Sequence, residues 1–217
     1  MKSDAELQKD VMTELRWEPS VAAAEIGVAV KDGIVTLSGY VDSYFAKSTA
    51  ERTAARVFGV RAVAGEIKVS FPGSFMRTDE DIAGAAVYIL EWNVSVPHDR
   101  VKVNVQDGWV TLSGEVDWWY QMDAAMDAVQ KLIGVVGVSN HITVKPVAKP
   151  PDMKAKIEGA FQRNAMLDAR RITVETRGSR ILLSGSVRTW AEREEAKSIV
   201  CAAPGVSEVE NKITISP

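Results

Sequence analysis

The side chains best suited to chemistry in this 217-residue chain are few: two histidines, His98 and His141, and one cysteine, Cys201. A nucleophile needs a base within hydrogen-bond reach, and a metal needs three or four spaced ligands. His98 falls in a loop before a strand pattern, and His141 falls inside one. Neither belongs to a Ser/His/Asp or metal-spaced cluster. Cys201 sits on a helical pattern with no histidine near it in sequence. No catalytic residue, metal ligand or cofactor site is therefore expected, and a lone cysteine excludes an internal disulfide framework.

Aspartate–glycine pairs are the next candidates, because they recur. Asp32-Gly33-Ile34-Val35-Thr36-Leu37-Ser38-Gly39 returns as Asp107-Gly108-Trp109-Val110-Thr111-Leu112-Ser113-Gly114 and again, altered, as Gly178-Ser179-Arg180-Ile181-Leu182-Leu183-Ser184-Gly185. Glycine supplies positive φ and aspartate favours the turn, so the pairs predict type I′ hairpins rather than chemistry; Gly178-Ser179 suits type II′. The serine–glycine steps lack the spacing of a phosphate-cradling loop. Gly59-Val60, Gly134-Val135 and Gly205-Val206 keep the same register, and these glycines fit left-handed helix caps. One small module is written three times.

The elements that position these phrases follow from periodicity. Each unit opens with a helix: capping box Ser3 to Glu6 before Leu7, Val11 and Leu15; Thr78 to Asp81 before Ile82, Ala86 and Leu90; Pro150-Pro151-Asp152 before Met153, Ile157 and Phe161. A period-two strand follows, then the hairpin. The return strand is expected over 34–37, 109–112 and 180–183, closing on Gly39, Gly114 or Gly185. A second helix has one apolar face, for example Ala125, Ala128, Val129 and Leu132. A last strand covers 62–69, 136–144 and 207–215. The expected fold is α+β: three tandem αββαβ modules, at 1–70, 77–145 and 150–216, each with two helices on a three-stranded mixed sheet.

Composition is that of an ordinary globular protein, 46% apolar and 25% charged. Net charge is −1 over residues 1–70, −5 over 71–145 and +3 over 146–217. An acidic chain without a recognisable motif argues against nucleic acid. No apolar run is long enough to span a bilayer. The opening residues Met1 to Glu6 lack the apolar run of a secretory signal, so the expected compartment is the cytoplasm, or the periplasm for a chain whose leader has been removed.

The hairpin phrase with Tyr40-Val41, and the Gly59-Val60 step through Val69, with their copies, resemble the BON family of bacterial osmotically inducible and nodulation proteins. The resemblance covers nearly the whole chain. It implies non-enzymatic binding modules, associated with phospholipid surfaces, envelope maintenance, osmotic stress and transport; some relatives bind potassium. Most better-known members are exported.

Positions where the copies differ are candidates for function. Trp118 replaces Ser43 and Thr189, Met122 replaces Lys47 and Arg193, and Met126 replaces Glu51 and Lys197; Tyr120 lies beside them. This stripe lies off the core face and suits a neighbouring repeat, a protein partner or second copy, or a membrane interface. Arg170, Arg171, Arg177, Arg180 and Arg188 surround the third hairpin and suit phosphate head groups or an acidic partner. Tyr44, Trp119 and Trp190 share one position and are expected to be packing residues; Trp17 and Trp92, matched by Arg163, are expected to be structural.

Overall fold

A computed structural model describes residues 2–71, 73, 76–146 and 152–216. The first module runs α1 (Asp4–Trp17), β1 (Ile26–Lys31), β2 (Ile34–Val41), α2 (Tyr44–Ala55) and β3 (Ala62–Val69). The second runs α3 (Asp79–Glu91), β4 (Val101–Gln106), β5 (Trp109–Val116), α4 (Trp119–Val129) and β6 (Gly137–Val144). The third runs α5 (Met153–Arg163), β7 (Ile172–Arg177), β8 (Arg180–Val187), α6 (Trp190–Cys201), β9 (Glu208–Asn211) and β10 (Thr214–Ile215).

Local chemistry explains the starts of the helices. Ser3 Oγ accepts from the Glu6 amide while Glu6 accepts from the Ser3 amide at 2.8 Å, and Thr78 with Asp81 repeats the arrangement. Asp152 precedes α5 without a side-chain cap bond; Pro150 and Pro151 lie outside the described residues. Asp32 and Gly33 both have positive φ, as do Asp107 and Gly108, whereas in the third hairpin only Gly178 does. That is the I′ and II′ division read from the residues.

In each sheet the middle strand pairs antiparallel with the first and parallel with the last, Ile34 facing Ala62 and Val41 facing Val69 in the first module. Each module has its own core, with Leu37, Leu112 and Leu183 fully buried at equivalent positions.

Three expectations change. The return strands do not close at Gly39, Gly114 and Gly185 but run on to Val41, Val116 and Val187. These glycines mark a crossing: a Cβ there would collide with the carbonyl of Glu25, Arg100 or Arg171 from the short 3-10 turn before each first strand. Gly59, Gly134 and Gly205 keep positive φ and are followed by buried valines. They lie beyond the cap positions, however, because α2, α4 and α6 end at Ala55, Val129 and Cys201. Last, the final strand of the third module is broken into β9 and β10. Arg193 donates to the carbonyls of Asn211, the last residue of β9, and Ile213, within the break, each at 3.1 Å. The equivalent residues Lys47 and Met122 carry no guanidinium fork.

Candidate functional site

The three sheets do not join across modules; side chains at the start of each second helix make the joints. Tyr44 packs against the middle module's core and has the Val138 backbone as a hydrogen-bond partner. Trp119, its equivalent, donates Nε1–H to the Val206 carbonyl of the third module at 2.9 Å. Trp190, the third equivalent, lines a cleft with Arg52, Arg56 and Val63 of the first module. Each aromatic thus meets the next module around its last strand, and the third module returns to the first. Repeated head-to-tail contacts that close after three units form a ring with approximate threefold character. Lys131 adds a cation–π contact over Phe45 at 5.8 Å across the first joint.

The second helices line this ring. The start of α4 faces the end of α6, and the start of α6 faces the later half of α2. Positive and negative helix ends therefore approach each other. The expected packing role of these aromatics extends between modules, although Trp119 also packs against the core of its own module. The sequence signal was an aromatic recurring at the first helical position, off the helix's apolar face.

The Trp118 stripe divides at the second joint. Trp118, Tyr120 and Met122 line a cleft of about 410 Å³ with Glu194, Lys197 and Cys201 of α6. Met122 and Met126 are also packed against the middle core, which leaves them half-buried rather than bare. Ser43 and Thr189 cap α2 and α6 by accepting from the Ala46 and Glu192 amides. Trp118 has no such acceptor, and Gln121 Oε1 takes the Asp117 and Trp118 amides at 3.0 and 3.1 Å instead. Crowding at the cleft raises the Asp123 carboxyl above the usual aspartate range, with Lys197 opposing. Burial pushes the Cys201 thiol up to about 11, so it is protonated at neutral pH and unsuited to nucleophilic work. Glu51, beside the third joint, is likewise raised by burial.

The five arginines do not form one patch. Arg177 and Arg180 face each other at the hairpin end of β7 and β8, where Arg177 lies 3.6 Å from Glu175 and Arg180 pairs with Glu208. Arg170, Arg171 and Arg188 lie at the opposite end. There Arg171 and Arg188 share a cleft with Asp168 and Glu192, and Arg171 donates to Ser186 Oγ at 3.2 Å. A six-residue strand separates the two groups by roughly 17 Å.

Trp17 and Trp92 depart most from expectation. Both are solvent-exposed, at 81% and 74%, and so contribute little to the cores. Val94 is exposed beside Trp92, and the Tyr88 and Trp92 rings meet with centroids 5.6 Å apart at a tilt of 37°. The third equivalent, Arg163, is also exposed. The three therefore occupy one position of the repeat and are exposed in every module. Subtracting the repeat passes over such residues, because recurrence reads as architecture.

Histidines remain apart: His98 opens an exposed 3-10 turn and His141 lies exposed in β6. Among the described residues no three His, Cys, Asp or Glu groups come together as metal ligands. No helix among them is long and apolar enough to cross a membrane.

Comparison with known proteins agrees with the repeat. The BON domain model matches residues 3–70, 78–146 and 151–217. "Osmotically-inducible protein Y" of Escherichia coli (strain K12) is 31% identical over 147 residues, covering 65% of this chain and 73% of that protein. Two solved structures of CdsD, a structural protein of the type III secretion system of Chlamydia trachomatis, align with 100% and 98% of this chain and 100% and 93% of theirs. Both do so at 13% identity and a TM-score of 0.27, a similarity too slight to bear on the fold. Three consecutive matches across almost the whole chain, on three copies of one αββαβ unit, mean that this protein belongs to the BON domain family.

Proposed function

We propose that the chain is a non-enzymatic binding protein that docks on phospholipid surfaces, in osmotic or envelope stress as its osmotically inducible relative suggests. The observation that carries this reading is the pair of bared tryptophans, Trp17 and Trp92, at equivalent positions of two like modules. Tryptophan is favoured at the boundary between head groups and acyl chains, where its ring is half apolar and half wet. Two such rings, with Arg163 at the third position to meet a phosphate, suit a flat surface better than a cleft.

Co-sedimentation with vesicles, with and without anionic lipid, tests this. The double change Trp17→Ser, Trp92→Ser should leave the fold intact and weaken vesicle binding by about tenfold or more. Unaltered binding by that variant would overturn the proposed face.

A second reading is a partner-binding or self-associating scaffold through the middle module. Apolar exposure at Val87, Tyr88, Trp92 and Val94, all on or just after α3, favours it. Analytical ultracentrifugation separates the two readings: a monomer at high concentration that still binds vesicles excludes self-association.

A further inference from the structure

The cleft at the second joint has a chemistry that surface docking does not use. Its middle-module wall carries Trp118, Trp119 and Tyr120, with Met122 and Asp123; its third-module wall carries Glu194 and Lys197. Its volume of about 410 Å³ falls in the range of small-molecule sites. We propose that this cleft binds a small quaternary ammonium cation, such as a choline-type group.

Three features select this class. First, aromatic faces attract an organic cation through the ring quadrupole, and the attraction grows where water is excluded. Trp118 and Tyr120 are partly exposed, at 41% and 58%, and so have surface free to cover a ligand. Trp119 is held in place by its bond to Val206. Second, the side chains lining the cleft carry two carboxylates against one ammonium, while the opposed ends of α4 and α6 offset each other. The excess carboxylate favours a cation over an anion. Third, the carboxylates already have cationic neighbours: Asp123 feels Lys197, and Glu194 lies 3.2 Å from Arg193. Those cations compete with a hydrogen-bonding ammonium for the carboxylates but leave the aromatic faces untouched. A primary ammonium needs several hydrogen-bond acceptors. A methylated one needs none and is held by field and aromatic contact.

This site is independent of the proposed lipid face. Trp118, Tyr120 and Asp123 lie at the start of α4, whereas Trp17 and Trp92 lie at the ends of α1 and α3. The ligand's source, a soluble compound or a lipid head group, is settled by experiment.

Calorimetric titration of the full chain with choline, tetramethylammonium and 3,3-dimethylbutanol, the uncharged isostere of choline, tests the proposal. Both cations should bind with saturation and the isostere should not. Trp118→Ala and Asp123→Asn should each weaken choline binding about tenfold. Trp17→Ser with Trp92→Ser should leave it unchanged. Equal binding of the neutral isostere, cation binding indifferent to both cleft variants, or no saturation with any cation would overturn the proposal. Phosphatidylcholine vesicles give the second arm: loss of vesicle binding in Trp118→Ala identifies a lipid head group as the source. Vesicle binding unchanged while choline binding falls identifies a soluble ligand.

Discussion

Two sets of aromatics recur in this chain, and the structure uses them in opposite ways. Tyr44, Trp119 and Trp190 begin the second helices and seal one module against the next. Trp17 and Trp92 end the first helices and face solvent. Both sets recur at the same spacings, and both are large and amphipathic. Recurrence alone therefore does not separate a joint from a docking face; what separates them is whether the next module stands in front of the side chain.

The comparison can be broken most forcefully at a joint. Trp119→Ala removes a half-buried ring and its bond to Val206, and should cost about 2–3 kcal/mol, below the range for a fully buried tryptophan. Denaturant unfolding should show a lower midpoint or separate transitions of the modules. Trp92→Ser should by contrast stay within about 0.5 kcal/mol of the parent in the same experiment, as surface changes do. Equal losses at the two sites would mean that the distinction is false.

A gain of function sharpens it next. Arg163→Trp places a third tryptophan at the position equivalent to Trp17 and Trp92. It should strengthen binding to uncharged vesicles several-fold without altering stability. An unchanged affinity would mean that the three positions do not share a face.

A smaller effect concerns pH at the joints. Burial raises the carboxyls of Asp123 and Glu51, so the folded chain holds these protons more tightly than the unfolded one. Their contribution to stability is full below the ordinary carboxylate range and is lost as pH rises through the raised folded values. Asp123→Asn and Glu51→Gln should therefore be more stable than the parent at neutral pH and level with it in acid, as read from unfolding midpoints. The capping carboxylates Glu6 and Asp81 are lowered by their bonds to Ser3 and Thr78. They act oppositely, losing stability as pH falls, but parent and variants share them and they cancel in the difference.

Much of each module was legible because its determinants are local. A capping box needs residues three apart, and a hairpin needs two residues of the right φ. Alternation in the strands and the helical face of Ala125, Ala128 and Val129 show which sides are buried. Reading was weaker where a distant group intervenes. Arg193 accompanies the break in the last strand by reaching carbonyls 18 and 20 residues away. The five arginines looked like one basic patch because a hairpin brings them close in sequence, while strand length carries them to opposite ends.

The amino-acid sequence by itself determined the module, its threefold repetition, the turn types and the three cores, because each depends on contacts within about 70 residues. Tertiary structure alone decided that Trp118 and Tyr120 line a cleft, that Tyr44, Trp119 and Trp190 make joints, and that Trp17 and Trp92 stay bare. Those outcomes depend on how one module stands against another. Such docking is governed by a few side-chain contacts, and the recurrence of those side chains does not say what stands in front of them.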